Sequence, residues 1–340
     1  MSGHGKKSIV ILSAAALLVA AAIISIIVFK PWFRYFYSYG RQISLSPAEM
    51  IRHYGKPDKE KDWLLGLCVE ADRGDWDKLA EMTAEDRKSE LGTYFHNLAN
   101  AAMGCLPDCL MDYYQPFERG LFLPVNESST PFVIAQSGEV WYRLGELTMA
   151  EHSAMLGMAF SPNKSGEKFL RRLADINFIN GDAEATMKYA RLLGEYPEWT
   201  ADKMQIKACL PQEDIIHSAG NIRPVLKNLL RSNCANLMAY QYLLCFDLLV
   251  KDIGAFIEDY DGNMPSSRLY EEAALIYMAA NDAVTPDNLL KYNISESTWN
   301  DFNSYTEIYK ANEGKGQALQ ERFGKTYWFY YHYAQRNDKE

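Results

Sequence analysis

Histidine and cysteine are the residue types through which this chain could bind a metal or carry out nucleophilic chemistry. The six histidines include no pair four residues apart and no H-E-x-x-H sequence, the spacing that a zinc site on one helix needs. The sequence also lacks a phosphate-binding glycine-rich loop and the G-x-S-x-G turn of serine hydrolases. In "QSGE" we expect Ser137 to cap a helix, with Gly138 and Glu139 in its first turn. We therefore expect no cofactor, no metal and no catalytic residue.

The cysteines allow two interpretations. They are sparse and lie mostly within apolar runs, which favours free buried thiols. Cys105 and Cys109, however, flank the Pro-Asp start of a helix in "CLPDC", and this spacing permits a disulfide in an exported compartment. For this pair the sequence leaves both interpretations open.

Tyr142, Arg143, Glu151 and His152 are the side chains that an enzyme acting on a polysaccharide could use in a long cleft. They lie close together in the sequence. Their spacing does not place all four on one helix face, because only residues three or four positions apart meet there. Catalysis on an envelope polymer is therefore the alternative hypothesis, and binding of another protein without catalysis is the favoured one.

Helices must position all of these residues, because apolar residues recur at intervals of three and four from Asp62 onward. Sustained alternation, which is typical of strands, is almost absent, so we expect an all-α fold. Pro162 and Pro197 close helices 35 residues apart, near the tetratricopeptide period of about 34 residues. We predict degenerate tetratricopeptide-like hairpins over residues 62–200 and a less regular helical region over residues 201–340.

The stretch "FINGDAEATMKYARLLGEYP" is typical of the turn and second helix of one such hairpin. Gly181 and Asp182 supply its turn, and Pro197 its end. By resemblance to the repeat, the first helix, residues 167–179, would line a concave surface. Four of its side chains would then form a partner groove that suits a peptide carboxylate or acidic side chains: Lys168, Arg171, Asp175 and Phe178. The alternative is an ordinary solvated helix face.

Aromatic residues crowd the carboxy-terminal stretch "TYWFYYHY", residues 326–333, on every side of one helix. A single buried face cannot cover them all. The favoured interpretation is a helix that caps the preceding hairpins and packs deeply against them. The alternative is a contact with a partner or a membrane, which large exposed aromatic patches often mark.

An uncharged stretch near the amino terminus, "IVILSAAALLVAAAIISIIVF", occupies residues 9–29. Its 21 positions are enough to cross a hydrocarbon layer of about 30 Å as a helix. We expect one transmembrane helix here, after a polar tail (residues 1–8) and before an aromatic and basic collar and linker (residues 30–61). A cleaved signal peptide is the alternative, although its apolar part is usually only about 7–15 residues long. We expect the inner membrane, with the soluble domain outside the cytoplasm.

The charge of the chain indicates which partners to expect. The whole chain carries −9, and residues 31–340 carry −12, because the first 30 residues contain three lysines and no acid. An acidic domain repels phosphate backbones, so nucleic acid is not an expected partner. The expected partners are the membrane, crossed once, and an unidentified protein.

Several stretches resemble a family of uncharacterised bacterial membrane proteins that carry a domain of unknown function and a tetratricopeptide-like helical region. They are, in order, "SSTPFVIAQSGEVWYRLGELTMAEHSAMLGMAF", "KSGEKFLRRLADINFINGDAEATMKYARLL", "GNIRPVLKNLLRSNCANLMAYQYLL" and "RFGKTYWFYYHY". The resemblance implies a membrane-bound, all-helical protein without an assigned activity, and it transfers no catalytic residue. Members usually carry several membrane spans, so a shortened remnant of a multi-span protein is a further alternative. Overall we predict one transmembrane helix followed by a degenerate α-solenoid that serves as an interaction scaffold of the bacterial envelope.

Overall fold

The computed structural model describes residues 17–21, 59–85, 88–126, 129, 131–161, 166–212, 221–260 and 266–336. Regular secondary structure within these ranges is helical, and no strand occurs in them. The predicted all-α fold is therefore confirmed for the described part of the chain.

The predicted transmembrane helix, residues 9–29, lies almost entirely outside the described residues. Only residues 17–21 of it are described, and they are helical and exposed. No helix in the ranges given above is both long enough and apolar enough to cross a bilayer. Residues 1–8 and residues 30–58 of the predicted tail, collar and linker also lie outside the description. The layout proposed for this end of the chain stays a prediction.

The first part of the described body is a series of eight short helices. They are α1 (Lys59–Arg73), α2 (Trp76–Thr83), α3 (Glu90–Ala102), α4 (Leu106–Cys109), α5 (Pro131–Leu144), α6 (Leu147–Phe160), α7 (Glu167–Asn180) and α8 (Ala183–Leu193). Two 3-10 helices, Leu110–Asp112 and Phe117–Gly120, follow α4. Helices α5, α6, α7 and α8 pack side by side in chain order, and each covers apolar surface of its neighbour.

Gly181 makes the turn between α7 and α8, as the sequence predicts. Its φ is +85°, a left-handed conformation that a residue with a Cβ adopts only with strain. Asp182 follows as the N-cap of α8, and its carboxylate accepts a hydrogen bond from the backbone N–H of Ala185 at 2.9 Å. The helical hairpin predicted around Gly181 is therefore confirmed.

The end of this hairpin lies earlier than predicted. Helix α8 stops at Leu193, and Gly194 follows in the left-handed conformation with φ of +75°. Pro197 lies three residues further on, in a segment without regular structure. A left-handed glycine turns the backbone back to satisfy the last carbonyls of a helix, so Gly194 rather than Pro197 terminates α8. Pro162, the other predicted marker of the repeat, lies outside the described residues.

Ser137 does not cap a helix, because α5 already begins six residues earlier and Ser137 lies in its middle. Its hydroxyl donates to the carbonyl of Ile134 at 2.9 Å and lies 3.1 Å from the hydroxyl of Ser153 on α6. A Cβ at Gly138 would lie 2.6 Å from the Cβ of Ser153. The small residues of "QSG" therefore serve the close approach of α5 and α6.

The second part of the body contains helices of 6 to 16 residues. They are α9 (Ala201–Ala208), α10 (Ile222–Ser232), α11 (Leu237–Leu249), α12 (Ile253–Asp259), α13 (Arg268–Ala280), α14 (Pro286–Lys291), α15 (Glu296–Ala311), α16 (Gln317–Phe323) and α17 (Tyr327–Tyr333). One hydrophobic core runs from α1 through both parts of the body to α17. A smaller cluster lies between α6, α7 and α8.

The aromatic helix α17 packs into this core. Tyr327 and Trp328 are fully buried. The indole N–H of Trp328 donates to the carbonyl of Glu272 on α13 at 2.9 Å, and the hydroxyl of Tyr327 donates to the carbonyl of Leu248 on α11 at 2.9 Å. These contacts support the interpretation of α17 as a cap on the preceding helices.

Candidate partner-binding surface

Helix α7 has one apolar face and one charged face. Apolar side chains three and four residues apart point inward, which fixes the direction of the opposite face. The buried positions are Phe169, Leu170, Leu173, Ala174, Ile176 and Ile179.

The four predicted partner-groove residues on α7 fall in two environments. Lys168 is buried, and its ammonium donates to the side-chain oxygen of Gln136 at 3.2 Å. Arg171, Asp175 and Phe178 are partly exposed. Their spacing of four and three residues places these three in one stripe along the helix. We name this stripe the groove face.

The chain itself covers the groove face. Residues 195–200, which connect α8 to α9 without helix, form a segment that we name the strap. Glu195 accepts a hydrogen bond from Arg171, with 3.0 Å between Oε1 and Nη1. This contact holds the pKa of Glu195 below its ordinary value and raises the pKa of Arg171. Arg171 also pairs with Glu167 of its own helix at 3.2 Å.

Two aromatic rings of the strap flank Phe178. The ring of Tyr196 meets it edge-on with 5.9 Å between centroids, and that of Trp199 lies 4.6 Å away. Both rings stay half exposed, at 47% and 49%. Leu192 before the strap and Met204 after it are also exposed, at 64% and 57%. Large apolar side chains are thus concentrated at the surface in this part of the chain.

Helix α9 also contacts α7 beside the groove face. The ammonium of Lys203 lies 2.7 Å from the carboxylate of Asp175, and that of Lys207 donates to the carbonyl of Ile179 at 2.7 Å. Ile206 is buried between them. All four predicted groove residues therefore have contacts within the chain.

Beneath this surface lies a group of ion pairs centred on Glu139 of α5. Its carboxylate is only 4% exposed and lies 3.1 Å from Nε of Arg143 and 2.7 Å from Nη2 of Arg172. Burial alone would raise the pKa of Glu139, but the positive charges of Arg172, Arg143 and Lys168 outweigh burial and hold it below its ordinary value. Glu139 is therefore ionised at neutral pH.

The same ion pairs join four helices. Arg172 of α7 lies 3.6 Å from Asp72 of α1, and its guanidinium stacks 3.6 Å above the ring of Tyr142 on α5. Arg143 lies 2.5 Å from Asp202 of α9. The network therefore connects α7 and α9 to α1 and α5.

The residues of the enzyme hypothesis do not meet at one site. Tyr142 and Arg143 belong to the ion-pair network, whereas Glu151 accepts a hydrogen bond from the amide of Asn177 at 3.3 Å. His152 is exposed on α6. Sequence proximity thus did not translate into a shared active centre.

A small pocket opens beside Glu139, between α5, α6 and α7. Ser153, Lys168 and Arg172 contribute its other polar side chains. Its volume is about 10 Å³, roughly what one water molecule needs, whereas ligand pockets typically have about 300–1,000 Å³. The pocket does not accommodate a sugar.

All six cysteines are free thiols in the described residues. Cys68, Cys209 and Cys245 are buried, as the favoured interpretation predicts, but the other three are partly or fully exposed: Cys105, Cys109 and Cys234. Burial, with a smaller contribution from Cys105, raises the pKa of Cys109 to about 11. The described ranges contain no group of three or more His, Cys, Asp or Glu side chains that could hold a metal ion.

Sequence reasoning missed the roles of four residues in this region: Glu139, Arg172, Tyr196 and Trp199. Glu139 and Arg172 are 33 positions apart, and no local pattern connects them. Tyr196 and Trp199 could have been noticed in the sequence. They lie in the short polar stretch "GEYPEWT" between helices, where aromatic side chains are not expected to belong to the core.

Residues 5–334 match the model of a family of unknown function, DUF6057. The chain belongs to this family. The DUF6057 match covers nearly all of the sequence and confirms the expected relationship to a family without an assigned activity. No curated protein and no solved structure matches the chain.

Proposed function

We propose that this DUF6057 protein is a membrane-anchored, non-catalytic scaffold with tetratricopeptide-like hairpins that holds another protein in the bacterial envelope. The observation that carries the proposal is the pair of half-exposed aromatic rings, Tyr196 and Trp199, beside the groove face. Tyrosine and tryptophan offer a large contact area with few rotatable bonds, and they are enriched among the residues that dominate protein–protein affinity. A surface of this composition favours a protein partner.

The distribution of charge favours binding over catalysis. Glu139 pairs with Arg143 and Arg172, and Asp175 pairs with Lys203, so charged side chains near α7 offset one another. General acid–base catalysis works best with a pKa near the working pH. The pKa of Glu139 is instead held low by its cations, as in a structural ion pair. The rival hypothesis, an enzyme acting on an envelope polymer, requires ionisable groups in a cleft wide enough for the polymer.

In this proposal the uncharged segment at residues 9–29 crosses the inner membrane once, and the helical body lies outside the cytoplasm. The length of the segment and the aromatic collar that follows it support an anchor. The second rival, a shortened remnant of a multi-span protein, shares the anchor but gives the helical body no partner of its own.

Site-specific photo-crosslinking in the native membrane tests the proposal. A photoreactive amino acid replaces Trp199 in one variant and Leu290, a 79% exposed residue of α14, in a matched control. We expect a discrete adduct with a second protein from position 199 and none from position 290. Adding Phe178→Ala should weaken the adduct, because it removes the ring that the side chain at position 199 contacts on the groove face.

Two results would count against the scaffold. Equal labelling from both positions would mean that the surface near the strap is not selective. Absence of any adduct from position 199 would favour the remnant hypothesis.

A further inference from the structure

The side chains of the strap complement those of the groove face in charge and in aromatic character. The guanidinium of Arg171 faces the carboxylate of Glu195, and the ring of Phe178 faces two aromatic rings. Asp175, between them, pairs with Lys203, which belongs to α9 rather than to the strap. The strap thus contacts the groove face as a bound peptide would, through one acid and two aromatic side chains.

The strap contacts α7 through side chains, and in the described part of the chain its backbone is held only by α8 and α9. The N–H of Glu195 donates to the carbonyl of Ala190, and the carbonyl of Glu198 accepts from the ammonium of Lys203, each at 3.2 Å. Among the described residues, the backbone of residues 196–199 forms no hydrogen bond with α7. The side chains of Arg171 and Glu195 are 43% and 61% exposed, so water and salt ions compete with their pairing. Tyr196 and Trp199 bury only about half of their surface. A segment held in this way can be replaced by another segment of the same chemistry.

We propose that the groove face binds an extended acidic and aromatic segment of a partner protein, with the pattern E-Y-x-x-W that the strap displays, and that this segment displaces the strap. The proposal rests on the proposed scaffold function and assigns a chemistry to its partner. Arg171 receives the carboxylate of the partner, and Phe178 receives its aromatic rings. The Asp175–Lys203 pair separates the two subsites.

Exchange of straps between two copies of this chain is less favoured, because α9 is fixed at several points. Asp202 pairs with Arg143 at 2.5 Å, Ile206 is buried, and Lys207 donates to the carbonyl of Ile179. A second copy could donate its strap only if these contacts broke or stretched. A partner segment needs to displace the strap side chains from α7 and to break the hydrogen bond between Lys203 and the carbonyl of Glu198, while Asp202, Ile206 and Lys207 keep their contacts.

The test uses the full-length protein and a peptide of residues 194–200, GEYPEWT, in which the tryptophan is 5-fluorotryptophan. An open variant, Glu195→Ala with Tyr196→Ala and Trp199→Ala, frees the groove face. We expect saturable broadening of the peptide ¹⁹F signal with the open variant. The wild type should bind at least about tenfold more weakly, because its tethered strap competes at an effective concentration in the millimolar range. A peptide of scrambled sequence should not bind.

A charge exchange then tests the subsite at Arg171. Arg171→Glu in the open variant should weaken binding of the native peptide by about tenfold or more, because two carboxylates then face each other. A peptide whose first glutamate is replaced by lysine should restore affinity to within about threefold of the original pair. Rescue by the exchanged charge distinguishes a direct contact from a general loss of structure.

Three results would overturn the proposal. One is a folded open variant, with the far-UV circular dichroism of the wild type, that shows no saturable binding. Another is native-peptide binding that Arg171→Glu leaves unchanged. The third is a strap-dependent dimer, which would identify a second copy as the occupant. If the open variant does not fold, Trp199→Ala alone, at a half-exposed position, is used with the same peptide and the same criteria.

The two experiments separate the two proposals. Peptide binding without a cross-linked protein in native membranes would keep the chemistry of the groove face and reject the scaffold function. A cross-linked partner without peptide binding would keep the scaffold and reject the E-Y-x-x-W segment as its means of attachment.

Discussion

Burial of Glu139 among cationic side chains makes the ion pairs around it depend on one another. Arg143 and Arg172 share this one carboxylate, and their own side chains are only 7% and 13% exposed. A buried charge that loses its partner cannot regain full hydration. Replacing Glu139 should therefore lower stability mainly because it leaves Arg143 and Arg172 buried without their shared carboxylate.

Glu139→Gln keeps the shape of the side chain but leaves two largely buried arginines without their shared anion. We expect the free energy of unfolding, measured with urea at pH 7, to fall by about 3 kcal/mol, the lower end for breaking a buried pair. Glu184→Gln, at an exposed position of α8, should change it by less than about 0.5 kcal/mol. Similar effects of the two substitutions would contradict the prediction.

The stability difference between the wild type and Glu139→Gln should also depend on pH. The pKa of Glu139 is lowered in the folded protein, so its stabilisation is present above the ordinary glutamate pKa and is lost as the pH falls below it. The difference in stability between wild type and Glu139→Gln should therefore shrink in acid. A difference that stays constant down to pH 3 would show that the charge of Glu139 contributes nothing.

Asp247 on α11 should have the opposite dependence. Burial raises its pKa to about 7, although Arg223, 3.3 Å away, opposes the shift. The folded protein thus binds this proton more tightly than the unfolded chain, in which an aspartate has a pKa of about 4. This group therefore stabilises the fold at low pH, and the stabilisation is lost as the pH rises from about 4 to about 7.

Replacing Asp247 by Asn should remove that loss. Urea unfolding at pH 4.5 and pH 7.5 gives the free energy of unfolding of each protein. From pH 4.5 to pH 7.5 the wild type should lose stability relative to the variant. Asp287→Asn, exposed on α14, should behave as the wild type does. The prediction fails if the Asp247 and Asp287 variants respond to pH alike.

Turns and caps built from adjacent residues could be predicted from the sequence, whereas contacts between distant residues could not. The turn at Gly181 could be predicted because its glycine and the capping Asp182 are adjacent. The path of the strap depends on contacts such as that between Arg171 and Glu195, which are 24 residues apart. Ser137 was misassigned because a serine before a glycine and an acid looks the same at a helix start and at a close helix crossing.

Two glycines, Gly181 in the turn between α7 and α8 and Gly254 in α12, yield predictions of opposite sign. An added Cβ at Gly181 meets no atom within 4 Å, so Gly181→Ala acts only through its φ of +85°. We expect a loss of about 1 kcal/mol of stability from the left-handed backbone. Gly254→Ala, in α12, meets only an ordinary 3.5 Å contact with Asp252 and should stabilise by about 0.5 kcal/mol. Thermal unfolding of the two variants measures both signs, and equal signs would refute the argument.

The two regions that the sequence separates near residue 200 share one hydrophobic core. The ring of Phe122 stacks 4.6 Å from Trp141 and lies 5.3 Å from Tyr242 on α11. The amide of Asn236 donates to the carbonyl of Leu144 at 3.1 Å. In a simple repeat array each unit contacts only its neighbours. Periodicity is a local property, so it could not predict these contacts between distant parts of the chain.

Trp328→Ala tests whether the molecule unfolds as one unit. Trp328 is fully buried in α17, and its removal leaves a cavity that should lower the free energy of unfolding by about 3–5 kcal/mol. Because the core is continuous, the slowest backbone amides of α3 should exchange with deuterium faster by the same factor as those of α13. Hydrogen exchange with mass spectrometry measures both helices in one experiment.

Trp199→Ala provides the matched control, since that ring is 49% exposed and lies outside the core. It should leave exchange in α3 and α13 unchanged. If Trp328→Ala accelerates exchange only beyond residue 200, the body consists of two independently stable regions, as its sequence periodicity suggests. Acceleration in α3 as well would mean that the aromatic cap at the carboxyl end stabilises helices more than 200 positions before it in the chain.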